Sequence, residues 1–416
     1  MTRSIAFLPG LLPCFALICL AVENEGASPT NRLAESGKQP AAFVVTNETG
    51  RPLELFSPEA YRAEFRYLQR FFHQTDLNGP PVETDGWTRN IPEAEWPFLG
   101  FAYFGYACAN LARFDPEFRD PAQAEMRWLI EALQAPRMSG FVAGHFGEPF
   151  GTNQIHASVF VHGHFLNLTL SYREVSGDTR YDALLQKIAT ALYQKYLETD
   201  QGVLPSYRTM WWLSDNFPAL AALSHYDRIF HRNTAQAKDK FLSNAKAYYL
   251  DPTTGMFCTY IDPSIHRQLQ GPRGISQMYG LQFLKDFAPE FAAEQYALAR
   301  RHLVRSVLGV AAVREFPEGT RATPDVDSGP VLFGLGLSAS GFAIAAAAIN
   351  GDEKTAWQLL NATAAVGGPV FRGVELHYSM MPPVGQAVIL FGKTCLLKAV
   401  QPAARRLGQR GSTVNP

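Results

Sequence analysis

The stretch Leu335 to Ala364, LGLSASGFAIAAAAINGDEKTAWQLLNATA, decides the fold. Its first part, Leu335 to Asn350, is apolar nearly all round and rich in Ala and Gly, the composition of a core helix rather than a surface one. Gly351-Asp352 breaks it, and Lys354 to Ala364 follows as a charged, amphipathic helix. An apolar helix, a short break carrying Asp, Gly or Pro, and an amphipathic helix make one hairpin. The unit recurs upstream. Phe98 to Phe114 breaks at Asp115-Pro116 before Ala122 to Leu133, and Phe160 to Val175 breaks at Gly177-Asp178 before Tyr181 to Leu197. Asn216 to Tyr226 breaks at Asp227 before a Lys-rich helix ending near Leu250, and Ile275 to Phe287 breaks at Pro289 before Phe291 to Leu308. The breaks at 115, 178, 227, 289 and 351 lie 63, 49, 62 and 62 residues apart. An opening helix starts at Ser57-Pro58-Glu59, which offers an N-cap, a proline at the first helical position and a first-turn acid. Pairing it with the closing helix Gly385 to Val400 gives a sixth hairpin and brings the ends of the body together. The expected fold is all-α, an (α/α)6 barrel with smooth helices inside and charged helices outside. An open solenoid also repeats a two-helix unit, but these units vary more than solenoid repeats do.

Composition sets the frame for this fold. Of 416 residues 47% are hydrophobic and only 18% charged, which excludes a disordered chain. Lys+Arg 37 against Asp+Glu 38, with the bases scattered, excludes the electrostatic footprint of a nucleic-acid binder. Arg3, the apolar run Ile5 to Val22 and then Glu23 and Glu25 read as a signal peptide or N-terminal anchor over residues 1–22. The body is therefore expected outside the cytosol, secreted or periplasmic. Residues 23–50 read as a polar linker, 51–402 as the barrel and 403–416 as a tail. Cys14 and Cys19 fall in the leader, and the widely spaced Cys108, Cys258 and Cys395 suggest neither a disulfide framework nor a zinc ribbon.

In such a barrel the long segments entering the inner helices line one mouth, and three of them are dense in aromatic, acidic, Gly and His residues. They are 144–153, with Glu148; 204–216, with Tyr207, Trp211, Trp212 and Asp215; and 314–330, with Asp325 and Asp327. Asp215 and Asp327 each precede an apolar helix, where a carboxylate either caps the helix or, against an apolar run, has its pKa raised for acid/base work. Two carboxylates from different hairpins across one mouth suit such work. His162-Gly163-His164 does not read as a metal site, because i and i+2 diverge on a helix. No P-loop, dinucleotide fingerprint or GxSxG elbow is present. Neither a metal nor an organic cofactor is expected.

The tracts Gly151-Thr152 to Gly163-His164-Phe165-Leu166-Asn167-Leu168, Gly202-Val203 to Tyr226-Asp227, Asp251 to Phe257 with Tyr260, and Asp325-Val326-Asp327-Ser328-Gly329 resemble the linalool dehydratase/isomerase family. The resemblance runs from about Phe141 to Leu360. It implies an (α/α)6 barrel and cofactor-independent turnover of small terpene alcohols, with His164 matching a family histidine. The family's cysteines have no counterpart, since no cysteine lies between Cys108 and Cys258, and Asp215 stands in that tract. The leading expectation is thus a lyase/isomerase of hydro-lyase type acting on a small hydrophobic alcohol. Asp215, Asp327 and His164 would move protons, and Tyr207, Trp211, Trp212, Tyr260, Glu148 and Asp325 would bind the substrate. A glycoside hydrolase or polysaccharide lyase is the alternative, and a non-catalytic ligand-binding barrel the third. The expected partner is the small-molecule substrate, with a homo-oligomer left open.

Overall fold

Ser57 caps the first long helix as its sequence predicts, its hydroxyl accepting the Ala60 N–H at 3.2 Å. The computed structural model describes residues 43–79, 91–140, 158–207 and 210–408. Its first element is a hairpin of β1 (Val44–Thr46), inside the stretch read as linker, and β2 (Pro52–Glu54), just past it. Phe43 packs edge-on against Phe56, and Phe56 against Trp357, so ordered packing starts earlier than the polar composition suggests.

Twelve long helices follow among the described residues: α1 (Pro58–Phe72), α2 (Ile91–Phe114), α3 (Arg119–Gln134), α4 (Val159–Ser176), α5 (Asp182–Glu198), α6 (Asn216–Phe230), α7 (Ala235–Tyr248), α8 (Gly274–Leu284), α9 (Pro289–Leu303), α10 (Leu337–Ile349), α11 (Glu353–Val366) and α12 (Pro383–Gly408). The even-numbered helices touch in the cyclic order α2, α4, α6, α8, α10, α12 and back to α2, and the odd-numbered ones pack outside them. The ring is closed, and α1 pairs with α12. This is the (α/α)6 barrel expected from the repeat, not an open solenoid.

Small residues let the inner helices approach. A Cβ on Gly163 of α4 would lie 2.7 Å from the backbone nitrogen of Ala219 in α6, and one on Gly392 of α12 would lie 2.6 Å from the Ile344 side chain of α10. Ala343 to Ala348 of α10 are all buried, as are Val159 to Leu170 of α4. Cys108, Cys258 and Cys395 are buried thiols within this core.

Short sheets decorate the entries to the inner helices. β3 (Trp211–Trp212), β4 (Tyr260–Asp262) and β5 (Arg267–Gln270) form one antiparallel sheet; β6 (Val304–Val307), β7 (Val310–Arg314), β8 (Val331–Leu332) and β9 (Leu335–Gly336) form another, in the order β6-β7-β9-β8. β10 (Pro369–Arg372) and β11 (Glu375–Tyr378) pair as a hairpin. Two helix boundaries are thereby corrected. The helix expected to reach Leu308 stops at Leu303, and the inner helix expected from Leu335 starts at Leu337, because the flanking residues pair as strands. Among the described residues no helix is long and apolar enough to cross a membrane.

Candidate active site

The N-terminal ends of the inner helices meet at one mouth. There Glu95, Trp96 and Leu99 of α2, Phe160 of α4, Ile275, Ser276 and Tyr279 of α8 and Phe342 of α10 surround a cavity of about 310 Å3. Tyr207, Met210, Trp212, Ser214 and Asp215 reach it from the 204–216 segment, and Asp325, Val326 and Asp327 from the loop before β8. Its walls are largely aromatic and apolar, and its polar groups converge, which is the make-up of a small-molecule site. None of these described lining residues is cationic.

Asp215 ends the 3-10 turn Leu213–Asp215 that leads into α6, and it is buried. Its side chain makes no capping bond to α6. Asn216 does the local structural work instead: its amide bonds both the N–H and the carbonyl of Leu204, at 2.9 and 3.2 Å, and accepts from the Tyr196 hydroxyl at 2.9 Å. That leaves Asp215 for the cavity, where the Ser206 and Tyr279 hydroxyls lie near enough to favour its charged form. Burial pushes its carboxyl up to about 7; the two hydroxyls oppose the shift and the Asp327 charge adds to it.

Asp327 sits on a latched loop. Fully buried Arg273 donates to both oxygens of Asp325 at 2.6 Å, to Glu315 at 3.0 Å and to the Ser328 hydroxyl at 2.8 Å. Asp325 Oδ1 in turn accepts the Asp327 and Ser328 backbone N–H groups at 3.0 and 3.3 Å. Burial alone would raise Asp325, but the two-pronged Arg273 contact holds it below the usual carboxylate range. Burial and then the Asp325 charge push half-buried Asp327 up to about 6, against Arg273. Asp325 therefore lines the cavity with both oxygens engaged by Arg273, as a holder of Asp327 more than a contact for substrate.

Glu95 is the residue that the sequence reading missed. Burial and the charges of Asp327 and Asp215 push it well above the usual range, and Tyr207 stands beside it in the cavity wall. The inner helix was expected to start at Phe98, which left Glu95 outside it, whereas α2 starts at Ile91 and runs through Pro97. The acidic and aromatic cluster Glu93-Ala94-Glu95-Trp96 ahead of an apolar run was the available signal.

The other expected residues divide. Tyr207 and Trp212 line the cavity. Tyr260 lies behind Trp212, with ring centroids 5.4 Å apart, and supports that wall. Trp211 alternates away from Trp212 on β3 and packs half-buried against the core. Glu148 lies outside the described residues. His164 does not line the cavity: it is fully buried, with Nδ1 2.8 Å from the Tyr106 hydroxyl and Nε2 2.7 Å from that of Tyr279. Burial pushes its imidazole down to about 3, so it is neutral and stands one layer behind Asp215. His162 is likewise pushed down to about 4, its Nδ1 3.0 Å from the Ser158 carbonyl. Among the described residues no group of side chains is placed to hold a metal ion.

No family model matches the chain, and no curated protein does. Among solved structures it is similar to an unsaturated glucuronyl hydrolase specific for heparin, with 15% identity, a TM-score of 0.55 and coverage of 82% of this chain and 97% of that one. It is also similar to an inactive variant of the α-1,6-mannanase GH76A of Salegentibacter sp. HEL1_6 in complex with α-1,6-mannotetrose, with 10% identity, a TM-score of 0.51 and coverage of 82% and 98%. These likenesses support the (α/α)6 barrel. They also overturn the expectation of a linalool-type lyase/isomerase, since the matching barrels are glycoside hydrolases. The geometry agrees with that correction: the histidine on which the family resemblance leaned is sealed from the cavity, and four carboxyls, those of Glu95, Asp215, Asp325 and Asp327, line it.

Proposed function

We propose that the chain is a glycoside hydrolase that binds a terminal sugar in the mouth cavity and cleaves its glycosidic bond with Asp215 and Asp327. The observation that carries this reading is the pair of carboxyls from different hairpins, raised to about 7 and about 6, in one aromatic-walled cavity. The likeness to carbohydrate-active barrels supports it. Near neutral pH Asp215, the weaker acid, holds a proton and Asp327 has lost its own. Asp215 donates to the glycosidic oxygen as the bond from the anomeric carbon breaks. Asp327 takes a proton from the water that attacks that carbon, and exchange with solvent restores both groups. Glu95, its carboxyl pushed well up by burial, lies beside Tyr207 and is available to a sugar hydroxyl. Trp212, backed by Tyr260, offers an apolar face to the ring. A cavity of about 310 Å3 is at the small end of ligand sites, which suits one end of a saccharide better than the middle of a polymer. The leader-like N-terminus fits an enzyme that meets its substrate outside the cytosol, and fractionation of expressing cells checks that station.

Purified protein incubated with unsaturated glucuronyl disaccharides from heparin, α-1,6-mannooligosaccharides and a panel of aryl glycosides is expected to release a monosaccharide from at least one. Asp215→Asn and Asp327→Asn should each slow that release about 10²- to 10⁴-fold. Absence of turnover across the panel, or wild-type rates in both variants, removes the proposal.

A further inference from the structure

Beside the mouth lies a second cavity, of about 320 Å3, that the acid/base scheme leaves unused. Two segments of chain serve both cavities. In one, Gln270, Gly271 and Pro272 line the second cavity, and Ile275 and Ser276 line the mouth. In the other, Phe316 to Thr320 line the second cavity, and Asp325 to Asp327 line the mouth. Arg273 stands between them: it donates to Asp325 on one side, and on the other its Cζ lies 6.0 Å from the centre of the Phe316 ring. Gly271 and Ile275 are four residues apart, so the two cavities approach within about 14 Å, which one short oligosaccharide spans.

The lining of this second cavity is polar and holds no Lys, Arg or His. Asp251, Thr253 and Thr254 come from the turn after α7. Asp251 Oδ1 shapes that turn, accepting the Thr253 and Thr254 N–H groups at 3.2 and 2.7 Å and the Thr254 hydroxyl at 2.7 Å. Its other oxygen is left for a ligand, as are the hydroxyls of exposed Thr253 and Thr320. The Gln270 side-chain amide has no hydrogen-bond partner among the described residues, and its oxygen is buried, a costly state for a polar group; a half-turn of the amide offers a ligand either its acceptor or its donor. Phe316 adds an apolar ring. Acceptors and hydroxyls around one aromatic face suit a polyhydroxyl ligand. A carboxylate or sulfate would find no base here and would be repelled by Asp251 and Glu318. A metal ion would find too few ligands, since among the described residues no three acidic, His or Cys side chains gather to hold one. We propose that the second cavity is a distal subsite for an uncharged sugar unit of the same chain whose end enters the mouth. The choice of a sugar rests on the glycosidase reading; the make-up and charge of the cavity do not.

The test is binding, read by calorimetry and by threonine-methyl NMR on the full chain carrying Asp215→Asn, so that the ligand stays intact. The probes are α-1,6-mannotetraose, maltotetraose and cellotetraose, each beside its monosaccharide, and a heparin-derived tetrasaccharide. Thr253→Ser, Thr254→Ser and Thr320→Ser each remove one methyl group and assign the signals. At least one neutral tetrasaccharide is expected to shift those three methyl signals and to bind about tenfold or more tighter than its monosaccharide, while the heparin tetrasaccharide does neither. Thr320→Trp, which fills the cavity from an exposed loop position, should remove most of that gain; the methyl shifts decide alone if it does not fold. Methyl signals that no neutral tetrasaccharide moves, a length gain that survives Thr320→Trp, or a heparin tetrasaccharide bound there as tightly each overturn the inference. Turnover by the wild-type protein separates the two readings. Hydrolysis of aryl glycosides with no gain from chain length removes the distal subsite and keeps the glycosidase; binding of a neutral tetrasaccharide here with no hydrolysis of any glycoside does the reverse.

Discussion

Asp215 is a carboxyl placed among apolar side chains with only the Ser206 and Tyr279 hydroxyls to stabilise its charge. Its folded-state pKa of about 7 lies above the ordinary value of 3.8, so the folded protein binds this proton more tightly than the unfolded chain does. The stability it contributes is therefore complete below the unfolded value, declines as pH rises, and is lost once pH passes the folded value. Ionised Asp215 then costs of order 4 kcal/mol relative to an unperturbed carboxyl. Asp215→Asn, which carries no charge to desolvate, should raise the melting temperature at pH 8 and do so much less at pH 4, as scanning calorimetry at the two pH values would show. The same groups set the activity profile. kcat/KM should fall below about pH 6 as Asp327 takes up a proton and above about pH 7 as Asp215 loses its own. A monotonic profile between about pH 5 and about pH 9 would contradict this assignment of roles.

At the scale of elements, the loop carrying Asp327 is shaped by a latch of Arg273, Asp325, Ser328 and Glu315, not by a helix or strand. Asp325→Asn keeps an oxygen for the Asp327 N–H but removes a negative charge next to Asp327 and frees Arg273 from its partner. Both changes favour ionised Asp327, so the acid limb of kcat/KM should move to lower pH; an unchanged limb would deny Asp325 its electrostatic influence. Removing the cation is harsher. Arg273→Met leaves Glu315 and Asp325 without their counter-charge in the wall and should destabilise the protein by about 3–5 kcal/mol, read from denaturant titration. The hairpins were readable because their apolar periodicity is interrupted by Asp, Gly and Pro at regular distances, and those signals are local. The strands were not. Val304, Val307, Val310 and Val313 fit a short apolar run of either kind, and the turn between β6 and β7 uses Leu308 at φ 48°, a conformation that leucine does not advertise. The orientation of His164 was equally hidden, since every residue from Val159 to Leu170 is buried and no polar face marks which way the ring points. Asp215 and Asp327 could be found because acids beside apolar runs conflict with local patterning, and such conflicts gather at functional sites.

For the whole molecule the decisive contact is the one that joins its ends. Lys393 of α12 is fully buried and bonds Glu64 of α1, the Tyr378 hydroxyl at 2.7 Å and the Leu55 carbonyl at 3.4 Å. Burial pushes the ammonium down and the Glu64 carboxyl up, and each partner opposes the other's shift. The sequence predicted that the first and last helices meet, from the count of hairpins. It gave no sign of a buried ion pair at the seam, because a lysine in an apolar helix reads as a solvated side chain reaching outward. Two charges withdrawn from water gain little over a well-packed apolar pair, yet removing only one of them strands the other. Lys393→Met should therefore lower stability by about 3–5 kcal/mol, whereas Lys393→Met combined with Glu64→Leu should recover most of that loss. The measurement is the denaturation midpoint of the two single variants and the double. If the double variant is as unstable as the sum of the singles, the seam is held by each residue's separate packing rather than by the pair, and closure of the ring has to be ascribed to the apolar contacts between α2 and α12.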